Sequence, residues 1–195
     1  MDANEERPEP AERTEAVVDR LAFKSRFVMV FGEINHQAAR ATCTRLIALA
    51  EESDAPINML ISSPGGHVES GDAIHDVIRF VRAPVTTIGT GWVASAGTHI
   101  FIAAPKERRV CLPNTRFMIH QPGGGAGGPA TDIAIQAKEI IKTRERIARV
   151  IARQTGQDLQ KVLTDMERDF WLSADEAIEY GLVSRVIESA KELRA

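Results

Sequence analysis

Three short apolar runs, each closed by glycine or proline and separated by stretches of helical periodicity, constrain this chain more than any other feature. Phe27-Val28-Met29-Val30-Phe31 stops at Gly32, Ile57-Asn58-Met59-Leu60-Ile61 stops at Ser63-Pro64-Gly65-Gly66, and Val85-Thr86-Thr87-Ile88 stops at Gly89-Thr90-Gly91. Their length and β-branched content predict strands, the first buried on both faces. Between the first two, Cys43, Leu46, Ile47 and Ala50 recur at i, i+3, i+4 and i+7 until Asp54-Ala55-Pro56 breaks the pattern. Between the second and third, Ile74, Val77, Ile78 and Val81 repeat that spacing until Pro84. Strands joined through helices of this length make right-handed crossovers, so the pattern predicts an α/β domain with a largely parallel sheet covered by helices. Its functional loops belong at the carboxyl ends of the strands, where the Gly/Ser-rich segments lie.

The second half is less regular. Phe117-Met118-Ile119 predicts a strand leading into His120-Gln121-Pro122, followed by a segment from Gly123 to Gly128 with almost no side chains. A helix is predicted from Thr131 to Gln154, with Ile133, Ala137, Ile140, Ile141, Ile147 and Ile151 on one stripe and Gly156 after its end. At ~1.5 Å per residue such a helix is about 36 Å long, more than a globule of this size covers, so its stripe needs a partner. Ser173-Ala174-Asp175-Glu176 has the form of a capping box and predicts a short helix ended by Gly181, then a final strand from Val183 to Ile187.

Composition narrows the function. With 195 residues, 44% of them hydrophobic and 26% charged, the chain makes one domain that needs neither metal nor disulfide to hold it together. A net charge of −3 from 24 basic and 27 acidic residues is too even for a nucleic-acid or anionic-membrane surface. Cys43 and Cys111 lie far apart without zinc-ligand spacing and read as core thiols. No apolar run approaches the ~18 residues of a membrane span, and the acidic N-terminus lacks the pattern of a secretory signal, which predicts a cytoplasmic protein. Residues 1–15 read as a disordered acidic tail ahead of a single domain over 16–195.

The candidate chemistry centres on Val93-Ala94-Ser95-Ala96-Gly97. A serine among alanines and glycine, placed at a helix N-terminus, has nothing bulky to shield its hydroxyl and can act as a nucleophile. An isolated motif of this kind is more often a packing site or a helix cap, and Val93 stands where a nucleophile elbow of the GxSxG type has its first glycine. A serine needs a base. Of the histidines at 36, 67, 75, 99 and 120, His120 is favoured because it leaves a strand end toward the glycine-rich loops. His99 competes at i+4 from Ser95; His36 and His75 read as surface residues; His67 lines the cleft. Gly65-Gly66 and the amide of Ala96 can turn N–H groups toward a developing oxyanion. No Lys-Ser/Thr follows the glycines, so a phosphate loop fits poorly. Asp132, Asp165, Asp169 and Asp175 remain open as the acid that orients the base.

Taken together, SSPGG, the ASAG serine, LPNTRFMIHQP, ATDI, the TGQ at 155–157 and ERDFWLSADEAIEYGLV resemble the ClpP family, the proteolytic subunits of the Clp protease, over roughly residues 26–188. The resemblance implies a ClpP/crotonase-like repeated ββα superhelix with a protruding handle, a Gly-rich strand plus the long helix, over about 121–156. It makes Ser95 the nucleophile, His120 the general base and Asp169 the orienting acid, with the Gly66 and Ala96 amides as oxyanion hole. It assigns Gly65, His67, Gly123, Gly124 and Gly125 to substrate binding, and Ile140, Ile147, Glu167 and Arg168 to contacts between subunits of two stacked heptameric rings. The implied activity is that of a serine endopeptidase degrading unfolded polypeptide inside a closed chamber, with no metal or cofactor and with ATP used only by a separate hexameric Clp ATPase. Several positions depart from the family. Glu15 to Arg20 replaces the Asp-Ile-Tyr-Ser segment, and Asn58 and Leu60 stand where tyrosines are usual, while Phe80 keeps its aromatic ring; these changes fall on the ATPase docking surface. His67 and His99 replace apolar residues and point to a different cleavage preference. Two other readings are a ring subunit of low activity serving a paralogous partner and a crotonase-like acyl-CoA enzyme.

Overall fold

Strands and helices alternate along the chain, and the parallel pairing follows from that order. The computed structural model describes residues 10–125 and 127–194. Its sheet runs β1 (Phe27–Phe31), β2 (Ile57–Ser63), β3 (Val85–Ala94), β4 (Arg109–Cys111) and β7 (Arg185–Val186) in spatial order, all parallel. β5 (Arg116–Ile119) pairs parallel with the last residues of β3, and β6 (Phe170–Leu172) closes that edge antiparallel to β5. The helices are α1 (Pro10–Lys24), α2 (His36–Glu52), α3 (Val68–Phe80), α4 (Ala96–Phe101), α5 (Ala130–Thr155), α6 (Leu159–Asp165) and α7 (Ala174–Tyr180). This is the predicted α/β class, with α2 and α3 as the crossovers.

The differences from the sequence expectation have physical causes. β1 buries only Val28 and Val30, while Met29 and Phe31 are exposed, because β1 is the sheet edge and nothing among the described residues covers that face. Gly89-Thr90-Gly91 lies inside β3 rather than ending it: β4 pairs with β3 up to Gly89, and β5 takes over from Trp92. The final strand contracts to Arg185–Val186. Of the expected tail over 1–15, residues 10–15 belong to α1, and residues 1–9 lie outside the described residues. Cys111 is buried and Cys43 half-buried, both as free thiols. No helix among the described residues is long and apolar enough to cross a membrane.

Local signals set the ends. Asn35 caps α2 by accepting the Ala38 amide, and Ser173 and Glu176 form the capping box of α7, which ends at the left-handed Gly181. α5 buries only Ala148, Ile151 and Thr155, all near its C-terminus, whereas Ile133, Ile135 and Ile141 are exposed. One end of this helix is rooted in the core and the rest projects. Arg109, 1% exposed, holds that root: its Nε donates to Ala104 O at 2.7 Å and its Nη1 to Gln154 O at 2.9 Å. Burial pulls the guanidinium down to about 10, so it stays charged at neutral pH, facing the negative end of the α5 dipole. From Pro122 to Gly128 the described residues form no strand, so the glycine-rich part of the expected handle has no ladder partner within the described chain.

Candidate active site

Two pairings of the sheet bring the candidate residues together. β3 and β5 place Ala94 beside Met118, and β5 and β6 place Ile119 opposite Phe170. The next residue out on each strand is therefore Ser95, His120 and Asp169. Ser95 Oγ lies 2.8 Å from His120 Nε2, and His120 Nδ1 lies 3.0 Å from Asp169 Oδ1. A carboxylate only accepts, so Nδ1 carries the hydrogen and Nε2 presents its lone pair to the serine hydroxyl. Asp169, left open among four aspartates by local pattern, is the one that reaches the imidazole.

Ser95 sits at φ 56 and ψ −120, a conformation that costs a non-glycine residue about 1–3 kcal/mol. It is held there by its amide, which donates to Met118 O at 2.9 Å. The strained turn lifts Oγ clear of the start of α4. Opposite it, Gly65 and Gly66 form a turn pinned by a parallel bridge: Ile34 N–H donates to Gly65 O at 2.8 Å and His67 N–H to Ile34 O at 2.7 Å. Gly65 must be glycine, because a Cβ there would lie 2.6 Å from Ser95 Cβ. The Gly66 and Ala96 amides meet no acceptor among the described residues. Ala96 follows the nucleophile directly, and Gly66 follows Gly65, whose backbone lies against Ser95.

Beside Ser95 opens a pocket walled by Val68, His99, Ile119, Pro122, Ile147 and Ile151. His99, 6% exposed, places Nε2 2.9 Å from Asp72 Oδ1, and Arg146 of α5 donates to both oxygens of Asp72 at 2.8 and 2.6 Å. Burial works to raise the Asp72 carboxyl, but the hydrogen bonds from His99 and Arg146, with the Arg146 charge, outweigh it and hold the group well below the usual carboxylate range. His75 stacks on His99 with ring centroids 4.4 Å apart and donates from Nδ1 to His99 O at 2.8 Å. The expectation of a surface His75 is corrected: it is 5% exposed. Burial first, and second the repulsion from His99 when that ring is also protonated, push it down to about 4.

This last shift carries a pH prediction. The unfolded His75 titrates near 6.5, above its folded value, so the folded protein resists protonation there. The stabilisation from neutral His75 is complete above pH ~6.5 and falls as the pH drops toward 4, by on the order of 3 kcal/mol in total. Denaturant midpoints measured from pH 7.5 to 4.5 are expected to fall less steeply in His75→Gln; parallel curves for variant and wild type would remove His75 as the cause.

The other expected site residues are placed as follows. His67 caps α3 by accepting the Ser70 amide at 3.2 Å and is not part of the pocket wall; its ring lies 4.3 Å from that of His36. Gly123, Gly124 and Gly125 are exposed and follow directly on Pro122, with Gly124 lying over Ile140. Glu167 and Arg168 are exposed beside the triad, tied to it by Gln121, whose amide donates to Met166 O at 2.6 Å and whose Nε2 donates to Glu167 O at 2.9 Å. Ile147, assigned by resemblance to contacts between subunits, is half-buried in this chain's own pocket wall. Asp72 and Arg146 carry no local signal in the sequence, and the one available signal that His75 is not a surface residue is its place between Ile74 and Ile78 on the buried face of α3. Among the described residues no group of three His, Cys, Asp or Glu is arranged to hold a metal ion.

Comparison with known proteins follows the same lines. A family model described as Clp protease matches residues 9–190. The "ATP-dependent Clp protease proteolytic subunit 3" of Rhizobium etli is 56% identical over 171 residues, covering 88% of this chain and 88% of that protein. The "ATP-dependent Clp protease proteolytic subunit 2" of Gluconobacter oxydans is 54% identical over 205 residues, covering 100% of this chain and 92% of the relative. Among solved structures, ClpP1 from Listeria monocytogenes is 47% identical with a TM-score of 0.81, covering 90% of this chain and 99% of that chain. A point mutant of the same protein gives a TM-score of 0.85 at 48% identity over the same shares.

Proposed function

The chain belongs to the Clp protease family, and from that premise we propose that it is a serine endopeptidase whose reaction is carried by Ser95, His120 and Asp169. The observation that carries this reading is the unbroken chain of contacts from Ser95 Oγ through His120 to Asp169. Ser95 Oγ attacks the scissile carbonyl while His120 Nε2 takes its proton. The oxygen of the tetrahedral intermediate is received by the Gly66 and Ala96 N–H groups, each donor of this kind contributing about 3–4 kcal/mol to the transition state. His120 then protonates the leaving amine, Asp169 stabilises the imidazolium, and water repeats the sequence on the acyl-enzyme. No metal or organic cofactor enters these steps.

The substrate is extended polypeptide. Gly123, Gly124 and Gly125 present backbone without side chains beside the pocket, where a substrate strand can add by main-chain hydrogen bonds. Exposed Ile133, Ile135 and Ile141 on α5 supply an apolar face for further copies of the chain, consistent with an assembly of stacked heptameric rings in which Ile140, Glu167 and Arg168 lie near ring contacts. The relatives' names include "ATP-dependent", and we assign that dependence to a separate ATPase that docks on the face carrying Phe80, 82% exposed, and Ile47. The test is covalent labelling with a fluorophosphonate probe. Wild type is expected to label stoichiometrically and Ser95→Ala not at all; an intact wild-type assembly that fails to label would sink the reading.

A further inference from the structure

The pocket beside Ser95 is lined by one polar side chain, that of His99, which the chemistry above leaves unused. His99 follows Ser95 by one turn of α4 and, beyond the catalytic pair, interrupts an apolar wall that includes Val68, Ile119, Pro122, Ile147 and Ile151. Its Nε2 faces Asp72, whose two oxygens are also gripped by Arg146. Because a carboxylate only accepts, Nε2 carries the hydrogen, and in the neutral ring Nδ1 is a bare lone pair. Nδ1 is buried and meets no partner among the described residues. The Nδ1–H of His75, stacked on the same ring, cannot serve it, because it is engaged by the His99 carbonyl. A buried acceptor without a donor is costly, and a bound group that supplies the donor recovers that cost.

Resting on the peptidase reading, we propose that His99 is a specificity-determining residue: at the substrate position whose carbonyl Ser95 attacks, it admits a side chain with an apolar stem and a hydrogen-bond donor at its tip, as in glutamine or asparagine, which a wholly apolar pocket of the same shape rejects. The aliphatic wall contacts the stem and the His99 lone pair receives the tip. A basic tip is not what this pocket suits, because the carboxylate that His99 contacts, Asp72, is already matched by Arg146. Asp72 acts here as a positioning residue. It fixes which ring nitrogen holds the hydrogen, and Arg146 fixes Asp72.

The experiment uses the assembled full-length chain and quenched peptides that differ only at this position, in the near-isosteric pairs glutamine/methionine and asparagine/leucine. The readout is the ratio of kcat/KM within each pair. The polar-to-apolar ratio is expected to fall about tenfold in His99→Phe, which keeps a ring but has no lone pair, and also to fall in Asp72→Met, which frees the His99 ring to turn. Ratios within twofold of wild type in both variants overturn the proposal while leaving the peptidase reading intact. Variants that lose cleavage of every peptide overturn it too, since His99 would then only support α4. Wild-type chain that cleaves none of the peptides and does not label with fluorophosphonate overturns both readings together.

Discussion

Replacing His120 with alanine is expected to lower kcat for peptide hydrolysis by at least about 10⁴-fold, close to the effect of removing Ser95. The reason is positional. Nε2 is 2.8 Å from Ser95 Oγ and Nδ1 is committed to Asp169, so no other group on the described chain can take the serine proton at that distance. His99, the rival base in the sequence, is one turn along α4 from Ser95, and its Nε2 is bound to Asp72. Because Ser95 and His120 act as one unit, the double variant Ser95→Ala/His120→Ala is expected to be no slower than the worse single variant. Single-turnover assays on assemblies of verified size decide it. A loss below ~100-fold would mean that a different base serves Ser95.

The second large effect is expected from a single methyl group. In Gly66→Ala the added Cβ would lie 2.2 Å from Ile34 O and 2.9 Å from Ile34 N, at a backbone φ of +145 that L side chains rarely adopt. Neither contact is with a flexible side-chain end, so the bridge between Ile34 and Gly66 has to open, with its two hydrogen bonds. The cost in folding stability is expected to be at least about 3 kcal/mol. The loss in kcat is expected to be about 10²–10³-fold from displacement of the Gly66 amide alone. KM and fluorophosphonate reactivity separate the two consequences, since a folded variant with a displaced amide still holds Ser95 and His120 together. Near-wild-type kcat in a folded variant would remove Gly66 from the oxyanion site.

The parts of the fold that were legible in the sequence are those set by local patterns. β1, β2, α2, α3 and the α7 capping box all stand close to where periodicity and punctuation put them, because each is specified within a turn or two of chain. The full length of β3 was not legible: its glycines end a strand in isolation, and only the distant partner β5 continues it. The same non-local pairing hid the acid. His120 and Asp169 are 49 residues apart and become neighbours only through the antiparallel register of β5 with β6, so no spacing rule could choose Asp169 among the downstream aspartates. Resemblance chose it where local chemistry could not. The polar interior was missed for a related reason. Arg109, His75 and Asp72 find their partners on other elements, and a charged or polar letter in the sequence carries no sign of a partner that distant.

One consequence of α5 concerns how the protein can change over time. Near its C-terminus, Ile147 and Ile151 wall the pocket, while Ile133, Ile135 and Ile141 lie bare further toward its N-terminus. A continuous helix transmits rotation and translation along its length, so neither end can be re-registered alone. A substitution that shifts the helix to suit a new neighbour also resizes the wall beside the nucleophile. Insertions and deletions within residues 130–155 are therefore the changes a lineage of such chains tolerates least, and drift in what the pocket accepts is bound to drift in what the exposed end touches.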